Sequence, residues 1–150
     1  MGLPFILKGD FVMSKAALYA INNTQQTLTG GGSVDLGNPV HGFGQTCCQK
    51  TIDVSGNNLT IRDGGMYGII MNATVTASEA GTVTLQAYQD GSPIGIPQAV
   101  NIAAANDAES VSVVIGPRVA CNSSSIITLV ATTTAGNVII GAVSTLAWKL

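Results

Sequence analysis

Apolar and polar residues alternate with a period of two along most of this chain, and the alternation limits what it can fold into. In the segment 82–89, TVTLQAYQ, Val83, Leu85 and Ala87 fall on one side and Thr84, Gln86 and Tyr88 on the other. Because successive side chains of a β-strand point to opposite faces, this pattern predicts a strand with one buried face. Further strands of this kind are predicted at 66–77, 110–115, 125–133 and 138–148.

Short turn signals separate these segments. Asp90-Gly91 stands between two alternating runs and predicts the tip of an antiparallel hairpin. Only 99–108 has a helix-like composition, and Asn101 and Asn106 favour a strand followed by a loop there. The sequence therefore predicts an all-β fold, a sandwich or jelly roll of about eight to ten short antiparallel strands in a single domain.

The composition is poor in charge. Only 9% of the 150 residues are charged, against about 25% in a typical soluble domain. A surface with so few charges is weakly protected against association, so we expect a homo-oligomer. The net charge of -2 offers no basic field for nucleic acid and no polybasic patch for a membrane, which argues against both as partners.

Residues with catalytic chemistry are sparse. His41 is the only histidine and lies in NPVHGFG, which has the composition of a loop. The sequence contains no Gly-x-Ser-x-Gly elbow, P-loop or dinucleotide-binding glycine signature. We therefore predict a protein that is not an enzyme and has no cofactor, with His41 as a surface or interface residue.

The three cysteines are compatible with several roles. Cys47 and Cys48 are adjacent, and Cys121 stands alone. They are expected as buried or interface thiols, as one disulfide between Cys121 and a member of the pair, or as metal ligands with His41. The metal alternative is disfavoured because neighbouring residues of a strand point to opposite faces.

Three stretches together resemble the C1q/TNF-like jelly roll of bacterial spore-surface glycoproteins and of many phage-encoded proteins. The central one is GGMYGIIMNATVTASEAGTVTLQAYQDGSPI (64–94), an aromatic-bearing alternating strand followed by a strand that ends in an Asp-Gly turn. ALYAINNTQQTLTGGGSVDLG (17–37) is similar to the first two strands, and VIIGAVSTLAWKL (138–150) to the closing strand. The resemblance covers about residues 14–150 and leaves 1–13 as an N-terminal extension.

The resemblance implies a homotrimer, packed around a three-fold axis by apolar and aromatic strand faces. Tyr67, Tyr88 and Trp148 are the candidate interface residues, with the sandwich core as the alternative position for Tyr19, Tyr67 and Tyr88. The implied function is a virion structural protein, a capsid decoration or head-fibre module on the virion surface, made in the host cytoplasm and bound to the major capsid protein or another virion protein. The alternatives are a tail appendage that binds a receptor or a host surface glycan, and a spore-surface or secreted ligand-like module.

The extension carries four large apolar residues, Phe5, Ile6, Leu7 and Phe11, with few charges. It is too short to form a core and too apolar to remain in water. We expect it to form an extended anchor, inserted into a groove or onto a sheet edge of the particle. The alternative is that it adds an extra edge strand to its own fold or packs under its own trimer.

Overall fold

Strands and short turns account for most of the computed structural model, which describes residues 15–43 and 50–150. Thirteen strands occur in these ranges, eight of them six residues or longer. They are β1 (Ala17–Asn22), β2 (Gln26–Leu28), β3 (Gly31–Ser33), β4 (Asn38–Phe43), β5 (Ile52–Ser55), β6 (Asn58–Ile61), β7 (Gly65–Ala77), β8 (Gly81–Gln89), β9 (Ser92–Ile102), β10 (Glu109–Ile115), β11 (Arg118–Val119), β12 (Ser125–Thr133) and β13 (Val138–Lys149).

The strands form two antiparallel sheets. The six-stranded sheet has the order β9-β8-β12-β6-β5, with β3 paired to β12. The seven-stranded sheet has the order β10-β7-β13-β1-β4, with β11 paired to β7 and β2 to β13. The predicted all-β antiparallel fold is confirmed, and the strand number exceeds the prediction because five pieces of two to four residues extend the sheets. Within the described ranges there is no helix long and apolar enough to cross a membrane.

The core lies between the inner faces of the two sheets. On β8 the buried residues are Val83, Leu85 and Ala87, the face predicted from the alternation. The long strand β7 contributes every second residue from Tyr67 to Ala77. Removing this apolar surface from water is the main stabilising term of the sandwich.

A register shift in β13 keeps its apolar residues in the core. Val138 and Ile140 are buried, but so are Val143 and Ala147, which have the opposite parity. The pairing of β13 with β7 shifts between Ile140 and Ala142. One extra residue at this bulge reverses which residues point inward, so both halves of the strand bury their apolar side chains.

The predicted hairpin joins β8 to β9. Asp90 and Gly91 both have positive φ, 50° and 86°, and Gln89 pairs with Ser92 on either side of them. Positive φ at both central residues is the geometry of a type I′ turn, which matches the twist of the flanking strands. The Asp90 carboxylate accepts hydrogen bonds from the hydroxyl of Ser125 and the backbone N–H of Ile126, both at 2.9 Å.

The expectation of a loop around His41 is wrong. His41 lies in β4, where it pairs with Tyr19 of β1. Pro39 and two glycines favoured a loop. Strand β4 lies at the end of the strand order of the seven-stranded sheet, beside β1, and a strand at the end of a sheet tolerates proline.

Candidate assembly interface

A row of side chains crosses the outer face of the seven-stranded sheet, the face directed away from the core. In the order β4-β1-β13-β7-β10, the residues paired in register are His41, Tyr19, Leu146, Ile70 and Val114. Directly paired residues of antiparallel strands project on the same side. The exposed fractions are 38% for Tyr19, 43% for Leu146 and 64% for Val114. We call these five residues the apolar row.

The outer face around the apolar row is almost free of charge. Among the described strands β4, β1, β13, β7 and β10, the charged residues are Glu109 and Lys149. Glu109 pairs with Val75, and Lys149 pairs with Tyr67. Both partners are fully buried. Glu109 and Lys149 therefore belong to the inward-facing set of residues on their strands and not to the outer face. One short flanking strand adds Arg118, which pairs with Met66 at the margin of this face.

Trp148 lies beside the apolar row on the same face. It pairs with Ala17 of β1 and with Gly68 of β7. A Cβ atom on Gly68 would lie 2.4 Å from Cζ2 and 2.7 Å from Cε2 of the Trp148 ring. The ring therefore covers the glycine backbone and is itself half-buried. This fixes the indole as part of the sheet surface.

On the other side of the apolar row the face becomes polar and concave. A hollow of about 440 Å³ is lined by residues that include Asn72, Ser112, Ser144 and Ile21. The Ser112 hydroxyl donates a hydrogen bond to the Asn72 side-chain oxygen. The described residues that line the hollow include no histidine, aspartate or glutamate. The groups present can donate and accept hydrogen bonds.

The three candidate interface aromatics do not come together. Tyr67 is fully buried in the core of its own chain, which is the alternative position given for it, and it has no surface to offer a second copy. Tyr88 is half-buried on β8 of the six-stranded sheet, where it pairs with Thr128. Trp148 is on the seven-stranded sheet. The interface roles of Tyr88 and Trp148 stay predictions.

Tyr67 makes a structural contact at the entrance to β7. Its hydroxyl donates a 2.7 Å hydrogen bond to the backbone oxygen of Asp63. Burial, together with the negative charge of the Asp63 carboxylate, raises the pKa of Tyr67 to about 12. The same carboxylate pairs with the ammonium group of Lys149 at 2.6 Å. These contacts tie the start of β7 to the end of the chain.

Of the three cysteines, Cys121 alone lies in the described part of the chain. Cys121 is exposed and lies against Gly64. Cys47 and Cys48 fall outside the described residues, so a disulfide to Cys121 stays a prediction. Within residues 15–43 and 50–150, no three histidine, cysteine or acidic side chains are close enough to hold a metal ion. The predicted anchor, Phe5, Ile6, Leu7 and Phe11, also falls outside the described residues, as does the boundary between residues 13 and 14.

Sequence reasoning missed most of the apolar row. Leu146, Ile70 and Val114 lie within runs such as IIM, VVI and TLAW, where adjacent residues are both apolar. In a strand with one solvent-facing side, one of two adjacent residues should be polar. Two adjacent apolar residues are thus the signal that could have identified this face.

Known structures share this fold at low sequence identity. Murine APRIL, in a crystal structure at pH 5.0, is similar with a TM-score of 0.64 and 12% identity, over 91% of this chain and 99% of that chain. The globular domain of the zebrafish complement 1qA protein has a TM-score of 0.61 and 10% identity, over 91% of this chain and 96% of that chain. The vertex protein P5 of PRD1 has a TM-score of 0.51 and 14% identity, over 89% of this chain and 72% of that chain.

The described chain thus has the fold of the TNF/C1q-like jelly-roll domains, two antiparallel sheets around one core. No protein-family model matches the sequence, and no curated protein matches it. At sequence identities this low, the similarity shows a shared fold and not a shared function, because one fold hosts many functions.

Proposed function

We propose that this protein is a non-enzymatic virion structural protein, a homotrimeric capsid decoration or head-fibre module on the virion surface. The observation that carries the proposal is the charge-poor, apolar outer face of the seven-stranded sheet on a TNF/C1q-like fold. On this face, Tyr19, Leu146 and Val114 have exposed fractions between 38% and 64% in a single chain. Contact with other copies removes such surface from water.

The virion assignment is supported by the vertex protein P5 of PRD1, whose fold this chain shares over 89% of its length. The phage-like sequence pattern of 17–37, 64–94 and 138–150 points the same way. A particle component needs a rigid, unreactive module with one surface for its own copies and another for the particle. The sandwich provides such a module, with a charge-poor face on one sheet.

Light scattering on the purified chain tests the assembly. Three copies of a 15.2 kDa chain give a mass of about 46 kDa. A mass that stays at one chain over the micromolar range would contradict the homotrimer. The substitution Val114→Asp places a charge on the exposed apolar row and is expected to lower the mass toward one chain. The matched control Ile126→Asp, on the outer face of the other sheet, is expected to leave it unchanged.

The anchor is a separate part of the proposal. We assign Phe5, Ile6, Leu7 and Phe11 to particle attachment, where backbone pairing supplies affinity and alternate side chains fill pockets. Three anchors on one trimer act together, so a modest affinity at each site gives durable attachment.

Deletion of residues 2–12 tests the anchor. The truncated protein is expected to keep its melting temperature and its trimeric mass but to be lost from purified particles. Normal incorporation of the truncated protein would contradict the anchor. Unfolding or a monomeric mass would assign the segment to the fold instead.

Imaging of labelled particles distinguishes the virion roles. A fluorescent or gold label on the C-terminus is expected to mark the capsid. A label confined to the tail, together with binding of the purified protein to host surface glycans on an array, would favour the receptor-binding or carbohydrate-binding appendage. Absence of the label from particles would contradict a virion role.

A further inference from the structure

Strand β9 carries an apolar projection at one edge of the sandwich. Its pairing with β8 shifts between Ile94 and Gln98, so residues 95–97 bulge out of the ladder. Ile96 is 74% exposed, the largest exposed fraction among the large apolar side chains of the described residues. Gly95 makes the bulge possible, with a φ of 76°. This projection is called the Ile96 knob.

The base of the knob, Gly95, lies close to the neighbouring sheet. A Cβ atom on Gly95 would lie 2.6 Å from Cγ2 of Ile115. Ile115 is the last residue of β10, the edge strand of the seven-stranded sheet. The knob therefore projects beside the end of β10.

An apolar hollow lies near the opposite edge of the seven-stranded sheet. It has a volume of about 150 Å³, sized for one branched side chain. Its lining contains no Asp, Glu, Lys or Arg among the described residues and consists of Ala17, Leu18, Tyr19, His41, Gly42 and Leu146. This cavity is called the Tyr19 hollow. A hollow without these four charged residue types suits an aliphatic side chain, because burying that side chain removes apolar surface from water.

The knob and the hollow lie at the same level along the strands. One line of paired residues runs from β10 to β4 through Ile115, Ile69, Ala147, Leu18 and Gly42. Gly95, at the base of the Ile96 knob, lies close to the first of these residues, and the last two line the hollow. Four strand spacings separate the ends of the line, about 19 Å.

We infer that the Ile96 knob of one copy inserts into the Tyr19 hollow of the next copy around the three-fold axis. The inference rests on the proposed homotrimer and assigns the two halves of its contact. A contact between two different patches either closes into a ring or continues as a filament. A ring that closes by rotation about an axis parallel to the strands requires the knob and the hollow to lie at the same height along that axis. The line of paired residues from Ile115 to Gly42 meets this requirement. Each copy then contributes one knob and one hollow, and every knob in the ring occupies a hollow.

Disulfide trapping tests this contact. In a chain with Cys47, Cys48 and Cys121 replaced by serine, Ile96→Cys and Tyr19→Cys are introduced singly and together. Strand β1, which carries Tyr19, lies three strand spacings, about 14 Å, from β10. A disulfide requires Cα atoms within about 7 Å, so the two new cysteines of one chain are not expected to pair with each other. After mild oxidation of the doubly substituted protein, denaturing electrophoresis without reductant is expected to show dimers and trimers. Each single variant is expected to run as one chain.

The mass of the serine-substituted parent protein, measured by light scattering, separates the two ideas. A trimeric mass without a disulfide between copies would overturn the knob contact and leave the homotrimer standing. A trimeric mass with trapping that ends at three chains supports both. A ladder that ends at another number supports the knob contact and overturns the trimer. A mass of one chain overturns both.

A second measurement avoids cysteine. Ile96→Ser is expected to raise the concentration at which the trimer dissociates by at least about tenfold, since each copy loses one buried side chain. The matched control is Ile126→Ser, which alters a 41% exposed isoleucine on the outer face of the other sheet; it is expected to leave dissociation unchanged. Equal dissociation of both variants would overturn the inference. Circular dichroism of each variant verifies that the single chain remains folded.

Discussion

The indole ring of Trp148 rests on the backbone of Gly68 in the adjacent strand, so that a single methyl group at position 68 would overlap the ring, at 2.4 Å from Cζ2. Trp148 is the only tryptophan of the chain, and its ring is half-buried on the outer face of the seven-stranded sheet. Any change at Gly68 therefore has a direct spectroscopic reporter.

Gly68→Ala is expected to displace the Trp148 ring toward solvent. The tryptophan emission should shift to longer wavelength, and the free energy of unfolding should fall by about 1 to 3 kcal/mol because of overpacking. Gly141→Ala is the matched control: its Cβ atom would meet the nearest atom, Thr74 Cγ2, at 3.8 Å. That control should change neither emission nor stability by more than a few tenths of a kcal/mol. Unchanged emission of Gly68→Ala would contradict the contact.

Tyr67 is expected to make stability depend on alkaline pH. Its pKa is raised to about 12 in the folded protein, whereas an unfolded tyrosine titrates near 10. The folded state favours the protonated phenol, so this contribution is fully present below pH 10 and is lost as the pH rises toward 12. The free energy of unfolding should fall by about 2 kcal/mol over that range.

Tyr67→Phe is the control for this pH dependence. It removes the hydrogen bond to the Asp63 backbone and should cost about 1 kcal/mol at neutral pH. Its decline between pH 10 and 12 should be smaller than that of the wild type. Urea unfolding at several pH values measures both proteins, and equal slopes would exclude Tyr67 as the cause.

The hydroxyl of Thr145 offers a way to stabilise the core. Thr145 is 0% exposed, and its Oγ1 has no hydrogen-bond partner among the described residues. A buried polar group without a partner is destabilising, so Thr145→Val should raise the free energy of unfolding by about 1 kcal/mol. Thr145→Ala removes a methyl group as well and should lower it through the cavity left behind. Thermal unfolding of the three proteins compares them; a less stable valine variant would reveal an unrecognised partner.

The Asp90 carboxylate should contribute measurably to the β8–β9 hairpin. Asp90→Ala removes acceptors of two 2.9 Å hydrogen bonds, from Ser125 and Ile126, and places alanine at a φ of 50°. The expected loss is about 2 kcal/mol. Asp90→Asn keeps an acceptor oxygen and tolerates positive φ, so its loss should be less than half as large. Similar losses for the two variants, measured by chemical denaturation, would assign the effect to charge alone.

The regular strands were predictable because their information is local. The segment 125–133 was predicted as a strand with the same bounds as the observed β12, and Asp90-Gly91 was predicted as the hairpin tip. Period-two burial and turn geometry depend on neighbouring residues only. His41 was misassigned because its strand is held by long-range pairing with β1, which a loop-like composition does not reveal.

The sequence by itself determined the all-β class, the inward faces of the long strands and the low charge that favours association. The tertiary structure alone decided which outward residues become neighbours. Tyr19 and Val114 are 95 positions apart, yet β13 and β7 connect them in one row through Leu146 and Ile70. It also placed Tyr67 in the core, because alternation defines two faces of a strand but strand order and the bulge in β13 decide what each face meets. The outer face of a sheet is formed by strands that are far apart in the sequence, so its composition depends on strand pairings that a local pattern does not reveal.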